Sequence, residues 1–271
     1  KGHTTMDAQE ITKIAAERTP QVPVKIMDGY FRHDVIRQLE GHDNIGIELG
    51  VAGGVFSKRM VESGKFKMFY GVDLYGDHHD TAEYVRALKH VGVGANYTLL
   101  RMSFDEAATL FDDGYFDFVY FDGYAHTGEE GGKSFVDWYK KVKIGGVLAG
   151  DDYHDSWPLV KWAVNSFVKA LGVELHVTGS TETTHLSHFP SWFFTKEREA
   201  DFGAVLDSEL LRLGQVAKDL AAKTPGRQSP KDAQDVTLTL DQIFGFCEQV
   251  CKHYPENIPR FQSMIQRYIP R

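Results

Sequence analysis

The sequence predicts an α/β fold: a doubly wound, mostly parallel sheet with helical additions at its N- and C-terminal ends. Short apolar runs, rich in β-branched and aromatic residues, alternate with helical patterns through the middle of the chain. This alternation predicts a parallel sheet with helices on both faces. After residue 172 two apolar runs follow one another across a polar loop, without a helix between them. That change predicts an antiparallel pair at the end of the sheet.

Seven strands are predicted, and most have a glycine or an aspartate near their end. The five strands of the alternating part cover residues 44–50, 68–75, 97–103, 116–123 and 145–152. The two strands after the change of pattern cover residues 173–179 and 191–196.

Helices are predicted between these strands, at residues 55–64, 79–92, 103–114, 131–146 and 157–172. Two of them begin with recognisable signals. Ser103 and Glu106 have the spacing of a capping box. Pro158 stands near the first turn of its helix, where a missing N–H costs least.

The chain divides by composition into three parts. We expect an N-terminal helical cap of two helices over residues 6–40, a central ligand-binding domain over 41–198 and a C-terminal helical extension over 199–271. Residues 223–235 have the composition of a flexible linker. The helical ends are predicted to cap the domain or to associate, which makes a homo-oligomer one expectation.

Composition excludes several classes of protein. The chain has 271 residues, 42% of them hydrophobic and 25% charged, with a net charge of −8. This acidic balance predicts no nucleic-acid partner, and without an apolar run of 18 residues we expect no membrane span. Cys247 and Cys251 are the only cysteines and are predicted to be free thiols on one helix face. With no leader pattern at the start of the sequence, we expect a cytoplasmic protein.

The loop after the first strand is rich in glycine. Ligands of open α/β sheets bind beyond the carboxyl ends of the strands, and "ELGVAGGVFS" (48–57) begins at such an end. Gly50 and Gly54 allow a tight turn and a close approach of the backbone to a ligand. The spacing from Glu48 is E-x-G-x-x-x-G, not G-x-G-x-x-G, which argues against a pyrophosphate cradle and so against NAD. An ordinary turn is the alternative.

The next two strand ends also carry candidate ligand contacts. Asp73 follows Glu48 by 25 residues, and an acidic side chain at that position can accept the hydroxyls of a ribose. After the third strand, Ser103 and Phe104 are placed to flank an adenine. The alternatives are a solvated carboxylate at Asp73, and a helix cap with core packing at Ser103 and Phe104.

Together these features resemble the class I S-adenosylmethionine-dependent methyltransferases, over roughly residues 44–196. The resemblance implies a seven-stranded Rossmann-like sheet whose last strand is antiparallel, and S-adenosylmethionine as the cofactor. It implies that Asp73 binds the ribose and that Ser103 lies near the adenine. Phe104 and Asp122 are the further cofactor contacts that we expect. The methionine part would be lined by Glu48, Gly50 and Gly54.

Two adjacent carboxylates, Asp151 and Asp152, end the fifth predicted strand. Two like charges about 4 Å apart repel by about 4 kcal/mol at an effective dielectric of about 20, so a cation or access to water is expected there. Asp122 ends the fourth strand, which is the neighbour of the fifth in this fold. Three carboxylates without cysteine suit Mg²⁺, provided that the strand breaks at Gly150. A wet cofactor pocket without metal is the alternative.

The acidic trio resembles the metal site of divalent-cation-dependent O-methyltransferases, in particular the branch that acts on sugars and natural products. The typical motifs are "D-G-D-H-S-Y" and "G-G-V-I-A-G-D-D-Y"; this chain has "DGYAHTG" (122–128) and "GGVLAGDDY" (145–153). Tyr124 replaces the second acid, and the histidine comes one position later. His126 is the first candidate for the general base and His154 the second, with a structural role for His126 as the alternative.

The sequence therefore predicts an S-adenosylmethionine-dependent O-methyltransferase in which Mg²⁺ is held by Asp122, Asp151 and Asp152. The expected acceptor is a hydroxyl group of a small molecule, a sugar or a polyhydroxylated natural product. Asp122, His126 and His154 are the expected catalytic residues. Two alternatives stay open: a small-molecule methyltransferase that needs no metal, and a nucleoside-binding or assembly domain without catalysis.

Overall fold

A computed structural model describes residues 6–123, 130–183, 188–222 and 240–268. Over these residues one sheet has eight strands in the order β1-β7-β8-β6-β5-β2-β3-β4. The strands are β1 Val24–Met27, β2 Asn44–Leu49, β3 Phe66–Asp73, β4 Tyr97–Arg101, β5 Phe116–Phe121, β6 Val142–Gly150, β7 Leu175–Thr178 and β8 Trp192–Thr195. The helices are α1 Ala8–Arg18, α2 Val55–Glu62, α3 Thr81–Val91, α4 Phe104–Ala108, α5 Lys133–Tyr139, α6 Pro158–Leu171, α7 Ser208–Ala222, α8 Leu240–His253 and α9 Ile258–Tyr268, with 3-10 helices at Arg32–Gln38 and Pro255–Asn257.

All strands run in the same direction except β8, which is antiparallel to both β6 and β7. The predicted doubly wound, mostly parallel sheet is confirmed. The carboxyl ends of β2, β5 and β6 are brought side by side at one edge of the sheet, because these strands are neighbours in the order β6-β5-β2.

The structure has one strand more than the seven predicted. β1 lies in the connection between the two helices predicted over residues 6–40, where no strand was expected, and it pairs with β7 in parallel, with Val24 opposite Leu175. Pro20 and Pro23 lack a backbone donor, and proline is tolerated beside an edge strand.

Two predicted helices are longer than the observed ones. α4 ends at Ala108, and β6 begins at Val142, so the predicted helices over 103–114 and 131–146 end too late. The pairing of β5 with β6 shifts register between Phe116 and Phe118. Gly145 has a φ of +87°, which glycine adopts without a steric cost.

Each face of the sheet has its own apolar layer. One layer holds residues of α1, α5, α6 and α7, including the buried rings of Trp138, Trp162 and Phe167. The other holds residues of the first 3-10 helix, α2 and α3, including Phe56. β5 is buried on both faces, and its Tyr120 ring stacks on Phe56 with centroids 4.1 Å apart. Through this contact, the face of the sheet that carries Tyr120 packs against α2.

The structure forms two compact units, Lys1–Gln228 and Ser229–Arg271. α7 belongs to the first unit, where Leu210 and Leu213 are fully buried. In the second unit, α8 carries Cys247 and Cys251 as free thiols, and burial raises the pKa of Cys247. Among the described helices, none combines the length and hydropathy needed to cross a membrane.

Candidate functional site

The glycine loop, residues 50–54, connects β2 to α2. Gly50 has a φ of +94°, and a Cβ there would lie 2.9 Å from the backbone carbonyl of Asp122. Gly54 has a φ of +79°, and its Cβ would lie 2.7 Å from a methyl carbon of Val91. Both positions therefore require glycine for backbone conformation and for space. The predicted tight turn is confirmed, and it packs against the end of β5.

Asp73 holds this loop in place. Its Oδ2 accepts hydrogen bonds from the backbone N–H groups of Val51 at 2.9 Å and Ala52 at 3.0 Å. Its Oδ1 accepts one from the N–H of Tyr75 at 3.1 Å, and the Tyr75 hydroxyl donates to the Ala52 carbonyl at 2.8 Å. A carboxylate has about four acceptor positions, so capacity for a further donor remains. The predicted ribose contact stays a prediction.

Ser103 caps α4 by the predicted capping box. Its hydroxyl accepts from the N–H of Glu106 at 3.2 Å, and the Glu106 carboxylate accepts from the N–H of Ser103 at 3.0 Å. Phe104 packs half-buried against the core. These contacts correspond to the structural alternative, and proximity of either residue to an adenine stays a prediction.

A buried arginine lies among the acids at the strand ends. Arg32, the first residue of the 3-10 helix Arg32–Gln38, is 8% exposed. Its Nη2 lies 2.6 Å from Oδ2 of Asp122 and 3.7 Å from Oε1 of Glu48, and its Nη1 lies 3.1 Å from Oδ2 of Asp151. The three acids come from the carboxyl ends of three neighbouring strands, so one guanidinium joins β2, β5 and β6.

Aromatic rings and hydroxyl groups enclose this ion cluster. The guanidinium carbon of Arg32 lies 4.8 Å from the ring centroid of Phe56 and 5.0 Å from that of Tyr120, within the range of cation–π attraction. Ser191 donates from its hydroxyl to Oδ1 of Asp151 at 3.3 Å, and its Oγ lies 2.9 Å from the Tyr120 hydroxyl. Arg32 thus lies in a buried polar network that the aromatic rings of Phe56 and Tyr120 cover.

Burial and charge shift the pKa values in this cluster in different ways. Burial raises the pKa of Glu48 to about 8, although the charge of Arg32 and a hydrogen bond from the Ser57 hydroxyl at 2.5 Å both favour the ionised form. Burial lowers the pKa of Arg32, but Asp151 and the other acids outweigh this effect, and the pKa is raised. The guanidinium therefore stays charged.

The predicted magnesium site is not supported by these contacts. Mg²⁺ needs carboxylate oxygens about 2.0–2.1 Å from the ion in octahedral geometry, whereas the guanidinium of Arg32 stands between Asp122 and Asp151. Within the described ranges, no group of three His, Cys, Asp or Glu side chains could hold a metal ion. The residues as placed do not fit the ion.

The strand break that the sequence predicts beside these acids does occur. β6 ends at Gly150, and Asp152 has a left-handed backbone with a φ of +59°. The Asp152 carbonyl accepts from the N–H of His154 at 2.7 Å. The structure thus joins Asp122 and Asp151 through Arg32, whereas Asp152 continues into the loop that leads to α6.

The structure describes only one of the two candidate bases. His126 and the neighbouring Tyr124 lie outside the described residues. His154 is exposed; its Nδ1 lies 3.0 Å from the Ser156 hydroxyl, and its ring centroid lies 4.8 Å from that of Phe189. Its role as a base stays a prediction.

Sequence reasoning missed Arg32, Ser191 and Tyr120. The repulsion between desolvated acids predicted a cation or access to water near Asp151, and the structure supplies a cation from a position 90 residues before Asp122. No local sequence pattern in that segment predicts that the side chain of Arg32 is buried.

Comparison with known proteins finds a family match over part of the chain. Residues 44–153 match the family model described as a methyltransferase domain, a range that holds the glycine loop, Asp73, Asp122 and the Asp151–Asp152 pair. The match covers 110 of the 271 residues. No curated protein matches the chain.

The solved structures to which the chain is similar are distant in sequence. An S-adenosylmethionine-dependent methyltransferase from Mesorhizobium loti shares 20% identity over 44% of this chain and 52% of its own, with a TM-score of 0.35. The match thus spans about half the length of that protein. A putative O-methyltransferase from Klebsiella pneumoniae shares 13% identity over 73% and 84%, with a TM-score of 0.44. N-methyltransferase NodS from Bradyrhizobium japonicum WM9 shares 16% identity over 62% and 95%, with a TM-score of 0.47.

Proposed function

We propose that this protein transfers the methyl group of S-adenosylmethionine to a hydroxyl group of a small molecule. The observation that carries the proposal is the charge at the strand ends beside the glycine loop. Three acids, Glu48, Asp122 and Asp151, surround the single guanidinium of Arg32. When Asp122 and Asp151 are ionised, negative charge exceeds positive charge there whichever form Glu48 takes, which suits a sulfonium cation.

The glycine loop and Asp73 form the proposed cofactor contacts together. The backbone of Gly50 and Gly54 permits close approach of the methionine part, beside Glu48. Asp73 orients the loop through two N–H groups and offers a remaining lone pair to a ribose hydroxyl. Ser103 and Phe104, together with Asp122, complete the proposed contact set.

The reaction is an in-line displacement. When bound, S-adenosylmethionine would supply an electrophilic methyl carbon, to which the acceptor oxygen would bond as the carbon–sulfur bond breaks and its electron pair stays on sulfur. The hydroxyl proton must leave to a base, and His126 and His154 are the proposed candidates. The protein contributes by aligning the acceptor oxygen with the methyl group, which is worth several kcal/mol.

A groove with both polar and apolar lining is the proposed site of a polyhydroxylated acceptor. It has a volume of about 570 Å³ between α1 and the start of α6, and Tyr153, the residue after Asp152, lines it. Its further lining includes Asn165 and Lys161. The Tyr153 hydroxyl donates to the side-chain oxygen of Asn165 at 2.7 Å. The Tyr153 hydroxyl oxygen and the ammonium group of Lys161, which pairs with Asp155 at 2.6 Å, can hydrogen-bond hydroxyl groups of a ligand.

Two measurements test the proposed function. Isothermal titration calorimetry with S-adenosylmethionine should show one binding event per chain. Mass spectrometry of a panel of sugars and polyhydroxylated aromatic compounds should then show a gain of one methyl group, with S-adenosylhomocysteine released in equal amount. Asp113→Asn changes a surface acid paired with Lys141 and should leave both binding and methylation unchanged. Absence of binding heat would overturn the cofactor assignment, and binding without methylation of any panel member would favour a non-catalytic nucleoside-binding domain.

A further inference from the structure

We propose that Arg32 is a built-in cation that takes the place a divalent metal was predicted to occupy, so that the strand-end acids are held without metal. The proposal rests on the proposed function, because the pocket concerned is the one assigned to methyl transfer. It assigns Arg32 a positioning role: the guanidinium fixes Asp122 and Asp151 at the edge of the sheet.

The contacts of Arg32 match what a bound cation would do there. Two different guanidinium nitrogens reach Asp122 at 2.6 Å and Asp151 at 3.1 Å, so the group bridges β5 and β6. A guanidinium carries its charge at all ordinary pH values and presents fixed donors to carboxylates. The charge of Arg32 therefore offsets the repulsion between Asp122 and Asp151 without the binding of a metal ion.

The surrounding chain is built to hold this side chain inside. Its helix begins with a cap in which the Phe31 N–H donates to Oδ2 of Asp34 at 2.8 Å. Val35 and Ile36 of the same helix are buried in the apolar layer beside α2. The rings of Phe56 and Tyr120 then cover the guanidinium. Removing Arg32 would leave its acid partners without their cation and would destabilise the fold.

A chemical consequence follows for the acceptor. With Arg32 between Asp122 and Asp151, these carboxylates face nitrogen donors, and a pair of acceptor hydroxyls does not chelate an ion between them. Activation of the acceptor then depends on a protein base and on alignment. Methyl transfer is expected to be unchanged by a metal chelator.

Manganese binding gives a test that needs neither cofactor nor acceptor. Mn²⁺ is titrated into the full chain, and the electron paramagnetic resonance signal of free Mn²⁺ reports uptake. The wild-type protein should show no stoichiometric site. Arg32→Ala leaves the acids without their cation and should raise Mn²⁺ affinity at least about tenfold, at one ion per chain. Arg32→Lys keeps a positive charge and should show no such gain.

Controls keep the outcome interpretable. Arg37→Ala removes an arginine from the same helix whose side chain is 58% exposed and pairs with Asp34, and it should behave as the wild type. Adding Asp151→Asn to Arg32→Ala should remove the gained uptake. A stoichiometric Mn²⁺ site in the wild-type protein overturns the proposal, and this measurement stands even if Arg32→Ala does not fold. A folded Arg32→Ala protein without gained uptake also overturns it. Neither result bears on S-adenosylmethionine binding, which the calorimetric experiment tests separately.

Discussion

Glu48 should give the folded protein a measurable pH dependence. Burial raises the pKa of Glu48 to about 8, against an ordinary value of 4.5. Between these pH values the folded state keeps a proton that the unfolded state has released. The free energy of unfolding therefore falls as pH rises, by about 1.4 kcal/mol per pH unit from this group.

The substitution Glu48→Gln isolates this effect. Glutamine keeps a side-chain oxygen that can accept from the Ser57 hydroxyl, but it does not titrate. From pH 5.5 to pH 7.5 the wild-type protein should lose between about 2 and about 3 kcal/mol relative to the variant. Other titrating groups are common to both proteins and cancel in the difference.

Urea denaturation followed by tryptophan fluorescence measures this difference, because all four tryptophans lie in the unit Lys1–Gln228. Glu62→Gln on α2 is the matched control, since that side chain is 64% exposed; this variant keeps Glu48, so its free energy of unfolding should fall with pH as that of the wild type does. A difference between wild type and Glu48→Gln that stays constant across the pH range would show that Glu48 is ionised throughout, and the electrostatic account of the cluster would then be wrong.

Three further predictions concern the glycine loop. Asp73→Ala leaves the N–H groups of Val51 and Ala52 without their acceptor, and calorimetry should show S-adenosylmethionine binding weakened tenfold or more; unchanged affinity would remove Asp73 from the site. Gly50→Ala places a Cβ 2.9 Å from backbone atoms at a φ of +94° and should destabilise the fold by at least about 1–3 kcal/mol; an unaltered melting temperature would contradict the tight packing. Tyr75→Phe removes the donor to the Ala52 carbonyl and should cost about 1 kcal/mol in urea denaturation, whereas a loss below about 0.3 kcal/mol would show that water replaces the hydroxyl.

Local patterns predicted most of the sheet. Alternation of apolar runs and helical patterns located the strands β2 to β8, because each is short, apolar and bounded by turn residues. β1 was missed, since Val24–Met27 is a four-residue edge strand whose side chains are largely exposed. Its pairing with β7 depends on a partner about 150 residues away, and no local signal reports such a contact.

The sequence predicted the acidic residues of the candidate site but not the cation that neutralises them. Asp73, Asp122 and Asp151 stand at strand ends, where topology alone brings side chains to one edge. Which group neutralises them depends on how the segment before β2 folds back over the sheet. Simple electrostatics predicted either a positive charge or access to water near Asp151; a bound ion and an arginine both supply such a charge, and only the three-dimensional contacts distinguish them.

The origin of Arg32 also sets the smallest fragment that can be expected to work. The region matching the methyltransferase family, residues 44–153, contains all three acids but begins 12 residues after the arginine that neutralises them. An excised fragment with those boundaries would expose the strand ends as an uncompensated anionic surface and would also lack β7 and β8. Fragments for crystallisation, domain exchange or directed evolution should therefore start upstream of the first 3-10 helix, because the leading segment supplies the cation of all three ion pairs at the strand ends.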